Sequence, residues 1–225
     1  MRPWPAGTVT AVIPTLNAAS VLPGTLAALD GQVDVVVSDG GSTDGTPDVA
    51  RAAGAAVVEG PRGRGVQIAA GIEAARSPWL LLLHADTRLA AGWAAVAAAH
   101  MRTAPDRAGY FRFALDSPDP RARRLERAVG WRCRVLAMPY GDQGLLVARD
   151  VLDEVGGVRP MPLMEDVDLV RRLGRGRLAP LAADALTSAG RWERDGWRRR
   201  SARNLACLAL WHTGVPPSLV AWLYR

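Results

Sequence analysis

Three acidic segments of this 225-residue chain have the residue types and surroundings that chemistry requires. The first is Ser38-Asp39-Gly40-Gly41-Ser42-Thr43-Asp44-Gly45, which follows a run of valines. A carboxylate at the end of such a run can accept an N–H from a base or the hydroxyl of a sugar. Gly40 and Gly41 let the backbone come close to a ligand, although Asp, Gly, Ser and Thr are also ordinary turn residues. The second is His84-Ala85-Asp86-Thr87, placed directly after Leu80 to Leu83. A buried strand rarely ends in a carboxylate without purpose, and carboxylate oxygen suits Mg²⁺ or Mn²⁺ held by substrate phosphates. The His84 imidazole can ligate such an ion, orient Asp86 through a hydrogen bond, or simply pack; a supporting role behind Asp86 is the favoured reading. The third, Glu165-Asp166-Val167-Asp168, reads as a helix start, where acids are common because the helix dipole favours them. The same placement favours the charged form of Asp166, which is expected to be ionised and able to take a proton, although burial would push its pKa back up.

Further segments could complete a site. Pro14-Thr15-Leu16-Asn17 follows the first apolar run, and Gly60-Pro61-Arg62-Gly63-Arg64-Gly65 leads into a helix. Two guanidiniums in a Gly-rich loop before a helix N-terminus could contact a diphosphate. The loop is not a phosphate-binding loop of the Walker type, because it lacks the Gly-Lys-Ser/Thr ending. Asp142 and Gln143 precede a strand and could touch a sugar or an acceptor, with a turn as the competing reading. Of the later tryptophans, Trp192, next to Arg191, is the one expected to face a ligand, since most Trp residues belong to the core.

These residues need a frame that brings them to one edge. Short apolar runs at 8–13, 34–38, 55–59 and 79–83 alternate with helical stretches at 20–29, 47–53, 66–75 and 92–101, the rhythm of βαβ units around a parallel sheet. In such sheets ligands bind beyond the carboxyl ends of the strands, where the loops named above lie. Further on, a strand at 109–115 precedes an Arg-rich helix carrying Leu125, Val129, Cys133 and Leu136 on one face, then a strand at 144–148, a helical turn at 150–155 and a helix to about Leu173. The last 30 residues pair a basic stretch, 198–203, with an apolar run, 205–211, stopped by Gly214 and Pro216-Pro217.

Composition narrows the class. Hydrophobic residues make up 49% and charged residues 22%, which excludes a disordered or fibrous chain. The formal charge of +6 comes entirely from arginine, with no lysine, a bias that strongly GC-rich coding would produce. With no interleaved basic-aromatic motif, nucleic acid is not an expected partner. Cys133 and Cys207 match neither a zinc spacing nor a redox pair and are expected as reduced core thiols. No signal peptide or membrane span is visible, so a cytoplasmic location is expected. The 198–211 segment could lie on an anionic membrane face, with packing or a homodimer as equal alternatives.

The strings Ile13-Pro14-Thr15-Leu16-Asn17, Val37 to Gly45, Leu83-His84-Ala85-Asp86-Thr87 and Met164-Glu165-Asp166-Val167-Asp168 resemble, in this order, the signature of family 2 glycosyltransferases. The likeness covers nearly the whole chain. The His84 to Thr87 and Gly141-Asp142-Gln143-Gly144 strings are similar to those of small soluble bacterial members, some named arsenosugar-biosynthesis-like. The resemblance implies an α/β fold of the GT-A type, a mostly parallel sheet flanked by helices. It implies one domain over 1–225, with a nucleotide-binding half (1–102) and an acceptor-binding half (103–225) that carries the C-terminal helices. Pro14, Thr15 and Asn17 would lie by the nucleoside and Asp39 would read its base, uracil being expected. Asp86, behind Ala85, is similar to the last carboxylate of the family's Asp-X-Asp metal motif. Asp166, beside Glu165, would be the catalytic base, and Arg191-Trp192 partly resembles a late Arg-Trp motif.

His84 stands where the family often has its first Asp, and the late motif lacks the Gln of processive synthases. The implied reaction is a single, inverting transfer from a UDP-sugar to an acceptor hydroxyl, assisted by Mg²⁺ or Mn²⁺ and by Arg62 or Arg64. A nucleotidyltransferase is disfavoured because the loop after the first strand has no Gly and no basic residue. A non-catalytic nucleotide-sugar-binding module is the other alternative.

Overall fold

Period-two alternation along the strands decides which helices cover each face of the sheet. In the computed structural model, which describes residues 2–224, Leu80 and Leu82 join one core cluster while Leu81 and Leu83 join another. The same division runs through the neighbouring strand, where Val12 points one way and Ala11 and Ile13 the other.

The elements follow in the order β1 (Val9–Thr15), α1 (Leu22–Leu29), β2 (Asp34–Asp39), α2 (Thr46–Ala52), β3 (Ala56–Glu59), α3 (Arg64–Ala74), β4 (Trp79–Leu82), β5 (Thr87–Leu89) and α4 (Trp93–Thr103). They continue with β6 (Ala108–Leu115), α5 (Pro120–Leu136), β7 (Leu145–Ala148), α6 (Arg149–Glu154), α7 (Glu165–Leu173), β8 (Leu178–Thr187), α8 (Gly190–Asp195), α9 (Trp197–His212) and α10 (Pro217–Tyr224). One eight-stranded sheet in the order β3-β2-β1-β4-β7-β6-β8-β5 runs through the molecule. The β3-β2-β1-β4 block and the β6-β8 pair are parallel, whereas β7 runs antiparallel to both β4 and β6. β1 and β4 are adjacent, so the loops after β1, β2 and β4 open on the same edge.

One face is covered by α1, α2 and α4 through Leu22, Leu29, Ala50, Trp93 and Ala97. The other is covered by α3, α5, α6 and α7 through Ile68, Val129, Leu152 and Leu169. A small third cluster of Leu163, Met164, Val167, Cys207 and Val220 fastens α9 and α10 to α7. Each fully buried Leu contributes about 2 kcal/mol of transfer free energy, so the strand leucines hold the site loops on a stiff base. Both cysteines are buried free thiols.

Several sequence expectations are corrected. Leu136 is 48% exposed, so the buried face of α5 carries Val129 and Cys133 but not its last leucine. β5 and β8 were not expected. β8 is rich in Ala and contains Pro180, a poor strand signature, yet the proline is tolerated because β5 pairs only with residues 185–187, so that stretch of β8 is paired with β6 on one side and is an edge on the other. The helix carrying the 205–211 run does end at His212, before Gly214, but Pro217 then opens a further, unexpected helix, α10, at a first-turn position where the missing N–H costs nothing.

Candidate functional site

The β1 and β2 loops are zipped together. Asn17, in the left-handed conformation at φ 51°, accepts from the Thr43 N–H (2.9 Å) and donates its own N–H to the Ser42 hydroxyl (2.8 Å). Asn tolerates this backbone better than most residues. Asp39 organises the joint. Its Oδ1 accepts from the Thr15 hydroxyl (2.8 Å) and the Ser42 hydroxyl (2.5 Å), and its Oδ2 accepts from the N–H groups of Gly41 (3.0 Å) and Ser42 (2.7 Å). A carboxylate has about four lone-pair sites, so this one is filled by its own loops. Burial would raise its pKa, but bonds from Ser42, Thr15 and Gly41 hold it below the usual range. Asp39 is thus ionised, buried and spent on loop shape, which leaves it no open acceptor for a base.

Gly40 leaves room for Gln67, whose amide carbon would lie 2.9 Å from a Cβ there. The Gln67 amide donates to the carbonyls of Thr15 (2.6 Å) and Ser38 (3.0 Å) and accepts from the Gly63 N–H (3.3 Å). One α3 side chain therefore ties the ends of β1 and β2 to the Gly-rich loop. Its partners lie up to 52 residues away, so nothing local in the sequence marks it.

These loops border a cleft of about 420 Å³. Pro14, Thr15 and Asn17 from the β1 loop, Arg62 and Arg64 from the Gly-rich loop and the start of α3, His84, Ala85 and Asp86 from the loop after β4, and Arg191 line it. The Ala85 carbonyl accepts from the Thr25 hydroxyl (2.7 Å), which fixes the loop after β4 from below. Pairing of β5 with β8 places the start of α8 over that loop, with Ser188 N–H donating to the Asp86 carbonyl (3.1 Å). Arg191 Nη2 then lies 3.7 Å from Asp86 Oδ2. Arg62 is exposed and has no acidic partner among the described residues.

Arg64 is engaged differently from the diphosphate contact expected of it. Its guanidinium donates to Glu165 Oε1. Glu165 is 1% exposed, and its Oε2 has no partner. Burial pushes the Glu165 carboxyl up to about 7, against the pull of Arg64. Asp166, next in the chain, behaves oppositely. Burial would raise its pKa, but Arg64, the Gly141 N–H, His84 and the Val167 N–H outweigh it and hold Asp166 below the usual range. The Gly141 bond is 2.8 Å to Oδ2 and the Val167 bond 2.8 Å to Oδ1. Met164 caps α7 in the left-handed conformation at φ 68°, which turns the acidic residues into the site.

His84 and Asp166 converge on Gly141. A Cβ there would lie 2.5 Å from His84 Nε2 and 3.2 Å from Asp166 Oδ2. Burial and Arg64 push the His84 ring down to about 4, with Asp86 and Asp166 opposing. The ring is neutral at pH 7 and keeps a lone pair. It makes no hydrogen bond to Asp86, so the expected orienting bond is absent.

Three expected ligand contacts lie elsewhere. Trp192 is 9% exposed and packs on Phe113 with ring centroids 6.4 Å apart, inside the core rather than along the cleft. Gln143 is buried, donating to the Phe111 carbonyl (3.0 Å) and accepting from the Cys133 thiol (3.2 Å) and Arg132 (3.3 Å), so it is a strut beneath the site. Asp142 stands beside it without lining the cleft. Its Oδ1 is buried and unpartnered, and burial pushes it up to about 6. The expected membrane-facing stretch is also partly internal, because Arg200 and Cys207 are buried. Among the described residues no helix is long and apolar enough to cross a membrane.

A divalent cation would find few protein donors here. Among the described residues no group of three or more His, Cys, Asp or Glu side chains is placed so as to hold a metal ion. The carboxylate of Asp86 and the neutral ring of His84 fit Mg²⁺ or Mn²⁺ as a partial set, with diphosphate oxygens supplying the rest.

Comparison with known proteins gives this geometry a context. The model of glycosyl transferase family 2 matches residues 10–161. An uncharacterized glycosyltransferase of Mycobacterium tuberculosis and one of Mycobacterium bovis are each 42% identical over 85 residues, which is 37% of this chain and 39% of theirs. The match therefore spans well under half the length of these curated relatives. Among solved structures, glucosyl-3-phosphoglycerate synthase from Mycobacterium tuberculosis with Mn²⁺ and UDP-glucose superposes with a TM-score of 0.56 at 20% identity, covering 84% of this chain and 75% of that one. Mannosyl-3-phosphoglycerate synthase from Rubrobacter xylanophilus gives 0.53 at 19% identity, over 80% of this chain and 65% of that one. At such identities the likeness speaks to the fold, which is GT-A.

Proposed function

The chain belongs to glycosyltransferase family 2, and from that premise we propose that it transfers a sugar from a nucleotide-diphosphate donor, UDP-sugar foremost, to an acceptor hydroxyl by an inverting single displacement. The observation that carries this reading is an ionised carboxylate, Asp166, in a pocket that adjoins the cleft at Pro14 and His84, the cleft itself holding Asp86 beside Arg191.

Pro14 and Asn17 border the nucleoside, and Arg62 and Arg191 face the diphosphate, whose departure develops negative charge. Asp86 and His84 would hold Mg²⁺ or Mn²⁺ together with the diphosphate, and the ion when bound supplies Lewis-acid neutralisation there. Asp166 accepts the proton of the attacking hydroxyl at whichever oxygen the acceptor reaches, while the Gly141 N–H keeps the carboxylate fixed. Glu165 and Arg64 act behind it. Arg64 places its positive charge beside Asp166 and so helps to hold the base ionised, while Glu165 anchors the guanidinium.

Having only one cleft carboxylate, already beside Arg191, favours a second reading: a nucleotide-sugar-binding module without turnover. A thermal-shift screen against UDP-, GDP- and dTDP-sugars, with and without Mn²⁺, followed by donor turnover in the stabilising pair, separates the readings. A ligand at 100 times its Kd stabilises by about 2.7 kcal/mol. Stabilisation with turnover supports the transferase, stabilisation without any turnover supports the binding module, and no stabilisation by any donor removes both.

A further inference from the structure

The donor cleft has a wall that neither the β1, β2 and β4 loops nor α7 supplies. Ala221 and Tyr224, on α10, line the cleft together with Asn17 and Val21. α10 is seated by Val220, which is fully buried in one cluster with Met164, the cap of α7, and Val167 within it. Its orientation is set by more than apolar contact.

Tyr224 is held by a charged relay. Arg200, on α9 and only 5% exposed, donates from Nη2 to the Tyr224 hydroxyl (2.6 Å), and its guanidinium carbon stands 4.6 Å from the ring centroid. Arg203 Nη1 reaches the Tyr224 carbonyl at 3.5 Å. Behind them, Asp195 Oδ2 receives both arginines, at 3.3 Å from Arg200 and 3.5 Å from Arg203. Asp195 closes α8, the helix that also carries Arg191 into the cleft. The carboxylate that ends α8 thus links the helix carrying Arg191 to the aromatic residue of α10.

A buried arginine is costly unless its partners are fixed, so this arrangement is specific to one ring position. One ring face is covered by Arg200, and the residue also borders the cleft, where Tyr224 belongs to the electrostatic surroundings of Arg64. Arg64 in turn holds Glu165 beside the base Asp166. The ring therefore lines the same cleft as the arginine that reaches back to the base.

We propose that Tyr224 is a specificity-determining residue that packs its ring on the transferred sugar of the donor, with Arg200 and Asp195 as the positioning residues that hold it there. This rests on the donor-binding reading above. Aromatic rings suit sugar C–H faces, and a pair of this kind is worth up to about tenfold in affinity. The nucleoside and diphosphate, held at the other walls, do not depend on it.

The test is calorimetric titration with Mn²⁺, using the nucleotide-sugar that stabilises the wild-type protein and the matching nucleoside diphosphate without sugar. Tyr224→Ala is expected to lose about tenfold in affinity for the nucleotide-sugar and less than threefold for the diphosphate. Tyr224→Phe keeps the ring, and is expected to retain nucleotide-sugar affinity within about threefold. Asp195→Asn is expected to raise the donor KM while kcat stays near wild type. Equal losses of both ligands in Tyr224→Ala would make α10 a general wall and overturn the assignment, as would unchanged binding of both. Failure of the wild-type protein to bind any nucleotide or nucleotide-sugar would instead remove the donor reading, and this inference with it.

Discussion

Arg191 Nη2 and Asp86 Oδ2 lie 3.7 Å apart across residues that are 105 positions distant in the chain, joined by the β5–β8 pairing beneath them. Arg191 is 51% exposed, so this is a loose surface pair worth at most about 1 kcal/mol to the fold. Its value lies in ligand binding. Arg191→Ala is expected to raise the donor KM by about tenfold, as loss of a charge-assisted bond to a phosphate would, with a melting temperature near wild type. Steady-state kinetics and a thermal melt on the same preparation check both halves, and an unchanged KM would remove Arg191 from the donor site.

Asp86→Ala should abolish the Mn²⁺-dependent part of donor binding while leaving any metal-independent part, because it removes the one carboxylate that lines the cleft. Titrations of donor with and without Mn²⁺ measure the two parts. Equal Mn²⁺ enhancement in wild type and variant would contradict the assignment.

Gly141 separates His84 from Asp166, and a Cβ there would stand 2.5 Å from His84 Nε2. Gly141→Ala must push the imidazole, the base or the 141–143 turn aside. The expected cost is about 1–3 kcal/mol of stability from overpacking and a fall of at least about a hundredfold in kcat, since misplacement by an ångström is that damaging. Activity within twofold of wild type would show that the two side chains do not work at this spacing.

Much of this site was legible from sequence, for identifiable reasons. Asp86 follows four leucines that all lie in the sheet or at its edge, and Asp166 opens a helix, so each carboxylate was announced by the element next to it. Side chains whose destination depends on distant packing were not readable. Trp192 and Gln143 looked like ligand contacts, but Phe113 and Phe111, from a strand some 30 to 80 residues away, claim them for the interior. Gln67 and Tyr224 were silent for the same reason: their partners are on other elements, and neither stands in a distinctive local string. β8 was missed because an Ala-rich stretch with a proline has weak strand preference, and β6 imposes the extended conformation from outside.

The buried Glu165 gives a pH dependence with a definite sign. Its folded pKa, about 7, lies above the ordinary 4.5. Its contribution to stability is therefore complete below about pH 4.5 and is lost as pH rises through about 7. The melting temperature of the wild type relative to Glu165→Gln should fall between pH 5 and pH 8, because the variant cannot ionise there. A difference between the two proteins that stays flat over this range would show that Glu165 is already charged throughout, with Arg64 dominating its burial.

The central claim is that Asp166 is the base of a sugar transfer, and Asp166→Asn tests it most directly. The amide keeps the shape and can still accept the Gly141 N–H at its oxygen, but it cannot take a proton. Donor affinity, measured by calorimetry with Mn²⁺, should stay within about threefold of wild type, while kcat falls by about 10²–10⁴, the range general-base catalysis supplies. Turnover near the wild-type rate with unchanged donor affinity would contradict the account.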